Sequence, residues 1–330
     1  MIVTEGFGIF DMQKAELHAH LNGCIPPQKT RDLVRKYSVH IPPGFDITRD
    51  LQVLKPVDSL SAYFKPWLIL KHLPVGKECL AQMVDAAVET LVEDNVTYVE
   101  FRKSPFNICE INNISIDRAL GWLSETLHQS SERHGIKANL IVSLSRDEFD
   151  SAKSTQLLRA LKSCRRDGLV VGVDLSGDES IPIGPEVADF YRSAKDDLGL
   201  GVTIHAGETG GLDHIQWAVE ECHADRIGHG LAAGACPRML ELLRRRDVCL
   251  EVSLISNLRT GIVRTPRAHP VMNFIASGVP FVLTSDNPQV HGSKLSDEYA
   301  LFSAVTCRED LLSAMFLTQN AYSFADRGGN

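Results

Sequence analysis

The 330-residue chain reads as one α/β domain, a (β/α)8 TIM barrel with an aromatic-rich helical insertion after its first strand. Three observations predict this. Eight short apolar, β-branched runs recur along the chain, several of them apolar on both faces, as strands of a covered parallel sheet must be. Helical periodicity lies between the runs. The polar residues with chemical capacity gather where the runs end, the face on which barrel enzymes carry their sites. An open doubly wound sheet would need a phosphate fingerprint after strand one. His-Ala-His-Leu-Asn-Gly stands there instead, with no G-x-G-x-x-G.

Strand one is expected from Ala15 to His18. Strand two, Val96 to Phe101, begins about 80 residues later, far more than one βα unit needs. The excess, residues 23–74, includes the aromatic-rich segment Ser59 to Leu68. An insertion after a barrel strand falls on the C-terminal face. It is either a lid over a flat, apolar substrate or a helix that packs on the barrel mouth for stability. Leu80, Met83, Val84, Ala87 and Leu91 follow helical spacing and lead into strand two. Strands three to five follow as Ala138 to Leu144, Val170 to Leu175 and Val202 to Ile204. Ile215, Ala218, Val219 and Cys222 mark a shorter helix. Arg226 to Gly228, Val248 to Leu254 and Phe281 to Thr284 complete the eight strands. No repeat, low-complexity tract or linker divides residues 1–330.

Composition narrows the function classes. The chain is 44% hydrophobic and 23% charged, enough to bury a large core. Its 34 basic and 42 acidic residues give a net charge of −8, which disfavours non-specific nucleic-acid or membrane binding. No run approaches the roughly 20 apolar residues of a membrane helix. The N-terminus lacks the basic start and apolar middle of a secretion signal. Among the 8 cysteines no C-x-x-C pair occurs, so they read as scattered thiols of a reducing, cytoplasmic protein.

The chemistry is carried by strand ends. Strand one ends in His18-Ala19-His20, and residues two apart on a strand point the same way. Strand five ends in His205-Ala206-Gly207-Glu208. Strand six runs into Gly228-His229-Gly230, and strand eight into Ser285-Asp286-Asn287-Pro288. A barrel brings all four ends to one pocket, and imidazoles with a carboxylate suit Zn²⁺. The expected ligands are His18, His20, His205 and Asp286. Glu208 stands close but free to act as an acid. His229, flanked by glycines that permit close approach, is a ligand or an orienter of the attacking hydroxide, and the second role is preferred. Strand four has no lysine to bridge a second metal, so one zinc per chain is expected. Such a set suits hydrolysis, with Asp286 and His229 holding the hydroxide and Glu208 supplying a proton. The absence of H-x-E with P-C-x-x-C excludes the cytidine-deaminase type of zinc site. The other histidines, such as His40, His72 and His134, read as surface or core residues.

Together these motifs resemble the adenosine deaminase family across nearly the whole chain. The carriers are Leu17 to Gly23, Tyr98 to Arg102, Asp174 to Glu179, His205 to Glu208, Ile227 to Gly230, Ser256-Asn257 and Thr284 to Pro288. The resemblance implies a single zinc and hydrolytic loss of the 6-amino group of an adenine ring. It also implies that Glu208 protonates ring N1, that the Gly177 backbone N–H meets N3, and that Asn287 faces N7. His20 and Asn22 are expected against the substrate as well.

Two residues depart from the family pattern. Asn22 stands where most adenosine deaminases have aspartate, near the ribose 5′ end, and resembles the N6-methyl-AMP deaminase branch. Asn287 also replaces an aspartate, but an amide donates a hydrogen bond at any pH. The expected activity is adenosine (and 2′-deoxyadenosine) to inosine plus ammonia. The alternative is deamination of another 6-aminopurine: N6-methyl-AMP, adenine or a modified nucleoside. A phosphate-bearing substrate would need cations at the rim, for which Arg102, Lys103, Arg146, Arg259 and Lys294 are candidates. The expected partner is a small purine nucleoside or nucleotide, with no nucleic acid and no membrane.

Overall fold

Eight parallel strands pair in sequential order: β1 (Lys14–His20), β2 (Val96–Lys103), β3 (Lys137–Ser145), β4 (Val170–Ser176), β5 (Gly201–Ala206), β6 (Arg226–His229), β7 (Cys249–Val252) and β8 (Phe281–Leu283). The structure is a computed structural model that describes residues 8–164 and 168–325. Residues 1–7, on which part of the N-terminal reading rests, lie outside the described residues. The seam between the last and first strands is closed just past β8. There Ala19 pairs with Asp286, whose N–H donates to His18 O at 2.9 Å, while His20 N donates back to Asp286 O at 2.9 Å. The expected barrel is therefore observed.

Nearly every strand residue is buried, which explains why the runs look apolar on both faces. Strand seven ends earlier than expected. Leu254 opens a short helix, Leu254–Arg259, because the Glu298 carboxylate accepts the N–H groups of Leu254 (2.8 Å) and Ile255 (3.0 Å). A carboxylate at a helix N-terminus satisfies donors that would otherwise have no partner. The helix over Gly76–Val92 buries the Leu80, Met83, Val84, Ala87 and Leu91 stripe as its spacing requires.

The barrel interior is not the usual stack of aliphatic layers. Arg102, Arg226, Glu100, Asp174 and Glu251 are all buried there. Arg226 pairs with Glu100 at 2.6 Å and stacks over the Phe324 ring, its guanidinium 3.7 Å from the centroid. Phe324 forms the floor. It presses on Gly172 and Gly201 so closely that a Cβ on Gly201 would lie 2.3 Å from the Phe324 Cγ.

Between β1 and β2 lie the short helices Leu21–Cys24, Pro27–Lys36, Leu60–Tyr63 and Trp67–Leu70. Ser59 caps the third of these by accepting from Ala62 N at 3.2 Å. Tyr63, Phe64 and Trp67 form one aromatic cluster, with ring centroids 5.4 to 5.6 Å apart. The insertion is tied to the β7 and β8 loops by Val57 N to Arg259 O (3.1 Å) and Val53 N to Val290 O (2.8 Å). It thus covers the C-terminal mouth. Among the described residues no helix is long and apolar enough to cross a membrane.

Candidate active site

His18, His20, His205 and Asp286 each offer one ligand atom, and these atoms lie within 4.8 Å of one another. His20 Nε2 is 3.3 Å from His205 Nε2 and 3.3 Å from Asp286 Oδ1. His18 Nε2 is 3.5 Å from the same oxygen. Asp286 adopts a left-handed backbone (φ 58°), a strained conformation that aims its carboxylate inward while its N–H and C=O hold the seam.

A second layer of carboxylates fixes the imidazoles. Glu251 Oε2 lies 2.8 Å from His18 Nδ1, and Asp174 Oδ1 lies 2.9 Å from His205 Nδ1. Each ring is thereby turned so that Nε2 faces the centre, the tautomer and orientation that a metal ligand needs. Arg102 bridges the two carboxylates, at 3.2 Å to Asp174 and 2.5 Å to Glu251. Burial alone would raise both carboxyl pKa values. His205 and Arg102 outweigh it at Asp174, and Arg102 with Arg226 outweighs it at Glu251, so both stay ionised. Three imidazoles and one carboxylate, buried and pre-oriented, fit zinc in donor type and number.

Glu208 and His229 sit beside this set. Burial first, then the charges of Asp286 and Glu179, push the Glu208 carboxyl up to about 8, so it holds its proton at neutral pH. Burial keeps His229 well below the usual histidine range and hence neutral. A relay of hydrogen bonds orients both. Val271 N donates to His269 Nδ1 (3.1 Å), so His269 carries its hydrogen on Nε2 and donates to Asn257 Oδ1 (3.2 Å). The Asn257 amide then donates to Glu208 Oε1 (3.2 Å) and His229 Nδ1 (3.1 Å). That leaves the His229 hydrogen on Nε2, free to donate into the pocket. Asp286 is steadied by Ser256, whose hydroxyl donates to Oδ2 at 2.6 Å.

The two departures have definite settings. Asn22 is 7% exposed, and its Nδ2 donates to Leu70 O in the insertion at 2.7 Å. Its Oδ1 is buried without a partner. The amide therefore presents an unpartnered acceptor, while one of its two N–H donors is committed to Leu70. Asn287 spends its hydrogens on Asp286 Oδ1 (2.7 Å) and the Tyr63 hydroxyl (3.2 Å), so donation to a ring nitrogen would require displacing one of them. Gly23 makes room for it, since a Cβ there would lie 2.1 Å from Asn287 Oδ1. Tyr63 in turn meets His291 Nε2 at 2.9 Å.

Of the five candidate rim cations, Arg102, Lys103 and Arg146 are buried, and Arg259 and Lys294 are half-buried. Arg102 is an interior residue, 1% exposed, and not a rim group. Arg146 is buried and donates to the carbonyls of Gly177 (3.3 Å) and His205 (2.7 Å), and Lys103 is buried as well. Glu251, the ion bridge of Arg102, the relay through His269 and the Tyr63 hydroxyl were missed from sequence. Glu251 and Arg102 could have been found as charged residues inside apolar strand runs, whereas Tyr63 and His269 lie off the strands and carry no such signal.

The family model described as adenosine deaminase matches residues 13–315. An adenosine deaminase of Clostridium acetobutylicum is 32% identical over 297 residues, covering 88% of this chain and 86% of that protein. The structure of the Arabidopsis N6-mAMP deaminase aligns with a TM-score of 0.82 at 25% identity, over 96% of this chain and 95% of that one. An amidohydrolase from Burkhoderia ambifaria, solved with bound Zn, shares the fold with a TM-score of 0.85 at 20% identity, over 96% and 87% of the two chains. With the whole barrel matched, this chain belongs to the adenosine deaminase family and is a metal-dependent aminohydrolase of that type.

Proposed function

We propose that the protein hydrolyses adenosine to inosine and ammonia with one zinc per chain, held by His18, His20, His205 and Asp286. The observation that carries this reading is the placement of Glu208, held by Asn257 and 3.6 Å from His229 Nε2, beside a three-histidine, one-aspartate set. Bound there, zinc supplies Lewis-acid activation of water. The protein's own groups do the rest. Glu208 donates its proton to ring N1, which makes C6 electron-poor. The His229 Nε2–H orients the attacking oxygen toward C6, and Asp286 accepts a hydrogen bond on the same side. The Gly177 N–H meets N3, His20 borders the ring, and Asn287 faces the N7 edge. Water adds its oxygen to C6 and gives up both protons: one passes to the amino nitrogen, which leaves as ammonia when the C6–N bond breaks, and the other restores Glu208. The insertion over residues 23–74 acts as the lid of this pocket, and residues 1–330 work as one barrel domain. A reducing cytoplasm suits its thiols.

Asn22 supports a nucleoside over a nucleotide. Its unpartnered buried atom is the Oδ1 acceptor, which pairs with a 5′-hydroxyl and not with the unprotonated oxygens of a phosphate; one of its two N–H donors is held by Leu70 O. The test is a panel of adenosine, 2′-deoxyadenosine, adenine, AMP and N6-methyl-AMP followed by ultraviolet absorbance. Adenosine is expected to give the highest kcat/KM. Turnover of N6-methyl-AMP with none of adenosine would replace this reading with the nucleotide one.

A further inference from the structure

Glu179 touches no reacting atom in the reaction as derived above; its charge helps Glu208 keep its proton, and its setting is more specific than a charge alone requires. It follows β4 in the segment Ser176-Gly177-Asp178-Glu179 and is 4% exposed. Its carboxylate accepts from three consecutive backbone N–H groups of the β5 loop: Gly207 at 2.7 Å, Glu208 at 2.8 Å and Thr209 at 2.8 Å. Charge-assisted bonds of this length are among the stronger ones. Gly207 is left-handed (φ +70°), which turns the three amides toward one point. Gly210 keeps that point clear, since a Cβ there would lie 2.5 Å from Glu179 Oε2. On the upstream side Arg146 holds the carbonyl of His205 at 2.7 Å and that of Gly177 at 3.3 Å. One cation thus grips a carbonyl just before the loop, and one anion grips the amides within it.

We infer that Glu179 is a positioning residue for the deamination: it staples the β5 loop so that Glu208 is aimed at the ring. The inference rests on the reading of Glu208 as the acid. A loop freed of three hydrogen bonds lets the Glu208 carboxyl wander, and a displacement of about 1 Å near a reacting centre costs on the order of 10²-fold in rate. Glutamine at position 179 keeps the shape but replaces one accepting oxygen with an NH₂ that cannot accept.

The experiment uses the zinc-loaded protein in four forms: wild type, Glu179→Gln, Glu208→Gln and the double variant. Hydrogen exchange of the peptide spanning Gly207 to Thr209 should quicken at least about tenfold in Glu179→Gln, while the core helix Gly76–Val92 stays protected. Its kcat should fall about 10- to 100-fold, with zinc content retained and KM changed less than about twofold. In the Glu208→Gln background the same substitution should cost less than about threefold, because no acid remains to be aimed. An equal loss in both backgrounds, or unchanged exchange, overturns the proposal. Near-normal turnover by Glu208→Gln alone removes the acid, and with it the aiming role of Glu179, even if exchange quickens. Should Glu179→Gln fail to fold, Glu179→Asp retains the charge and shortens the reach. The same exchange and kinetic pattern is then expected in smaller measure, and its absence overturns the proposal equally.

Discussion

His18 Nδ1 and Glu251 Oε2 meet at 2.8 Å across 233 positions of sequence, on the first and seventh strands. Glu251 thus orients His18, a proposed metal ligand, while also neutralising Arg102 and Arg226. His18→Ala should lose zinc and activity together. Glu251→Gln should weaken zinc by about 10- to 100-fold, since partners behind a ligand are worth that much. It should also lower stability, by up to about 3–5 kcal/mol, because two buried arginines each lose one of their two carboxylate partners. Chelator competition and urea unfolding measure the two effects. Two tightly held metals per chain would end the mononuclear reading.

Glu208→Gln preserves shape and removes the transferable proton. Zinc should stay bound while kcat drops by about 10² to 10⁴, the range for a general acid. The pH profile has a defined sign. Glu208 acts in its protonated form, so activity is present below its pKa and lost as pH rises through it. That value is about 8 without metal, and the positive charge of zinc lowers it, so the alkaline limb lies at or below that pH. A kcat/KM profile with no alkaline limb there would remove the assignment.

Asn22→Asp replaces a donor to Leu70 O with a carboxylate that must turn away from that carbonyl. The KM for adenosine should rise modestly as the contact to the insertion is lost. Discrimination against AMP should grow more, because a like charge facing a buried phosphate costs several kcal/mol. Measuring kcat/KM for both substrates with both proteins decides it. An unchanged ratio would mean that residue 22 does not face the 5′ end.

Phe324→Ala should cost about 3–5 kcal/mol by opening a cavity in the barrel floor. Gly201→Ala should cost about 1–3 kcal/mol through the opposite fault, a methyl forced into the ring. Combined, the two should be less harmful than their sum, since the smaller side chain vacates the space the methyl needs. Urea midpoints of the three variants test this, and strict additivity would show that the floor packs otherwise.

Much of this was legible before any coordinates. Strands such as Val170–Ser176 are apolar on both faces because helices cover one side and the barrel interior the other, and that pattern survives in one dimension. The end of β7 was not legible. Leu254 leaves the strand because Glu298, 44 positions away, caps it, and local propensity carries no trace of that contact. The convergence of His20 and Asp286, proposed ligands, is legible because both are polar residues at strand ends. Arg102 was misread as a rim charge because its inward direction depends on the register of β2 against β3, which places it opposite Ile141. The commitment of the Asn22 and Asn287 amides could be seen only once Leu70 and Tyr63 were placed above them.

The seam pairing of Ala19 with Asp286 ties the candidate metal site to closure of the barrel, because Asp286 reaches His18 and His20 only where β1 and β8 meet. His18 and His20 leave the ribosome early and Asp286 late, so the nascent chain carries an incomplete chelate for most of its synthesis. The full donor set comes together only when the ring shuts. Conversely, an ion held across the seam works as a rivet. Stripping it should loosen the junction of β1 and β8 before the other strand pairs, and hydrogen exchange at His20 and Asp286 would show that local opening first.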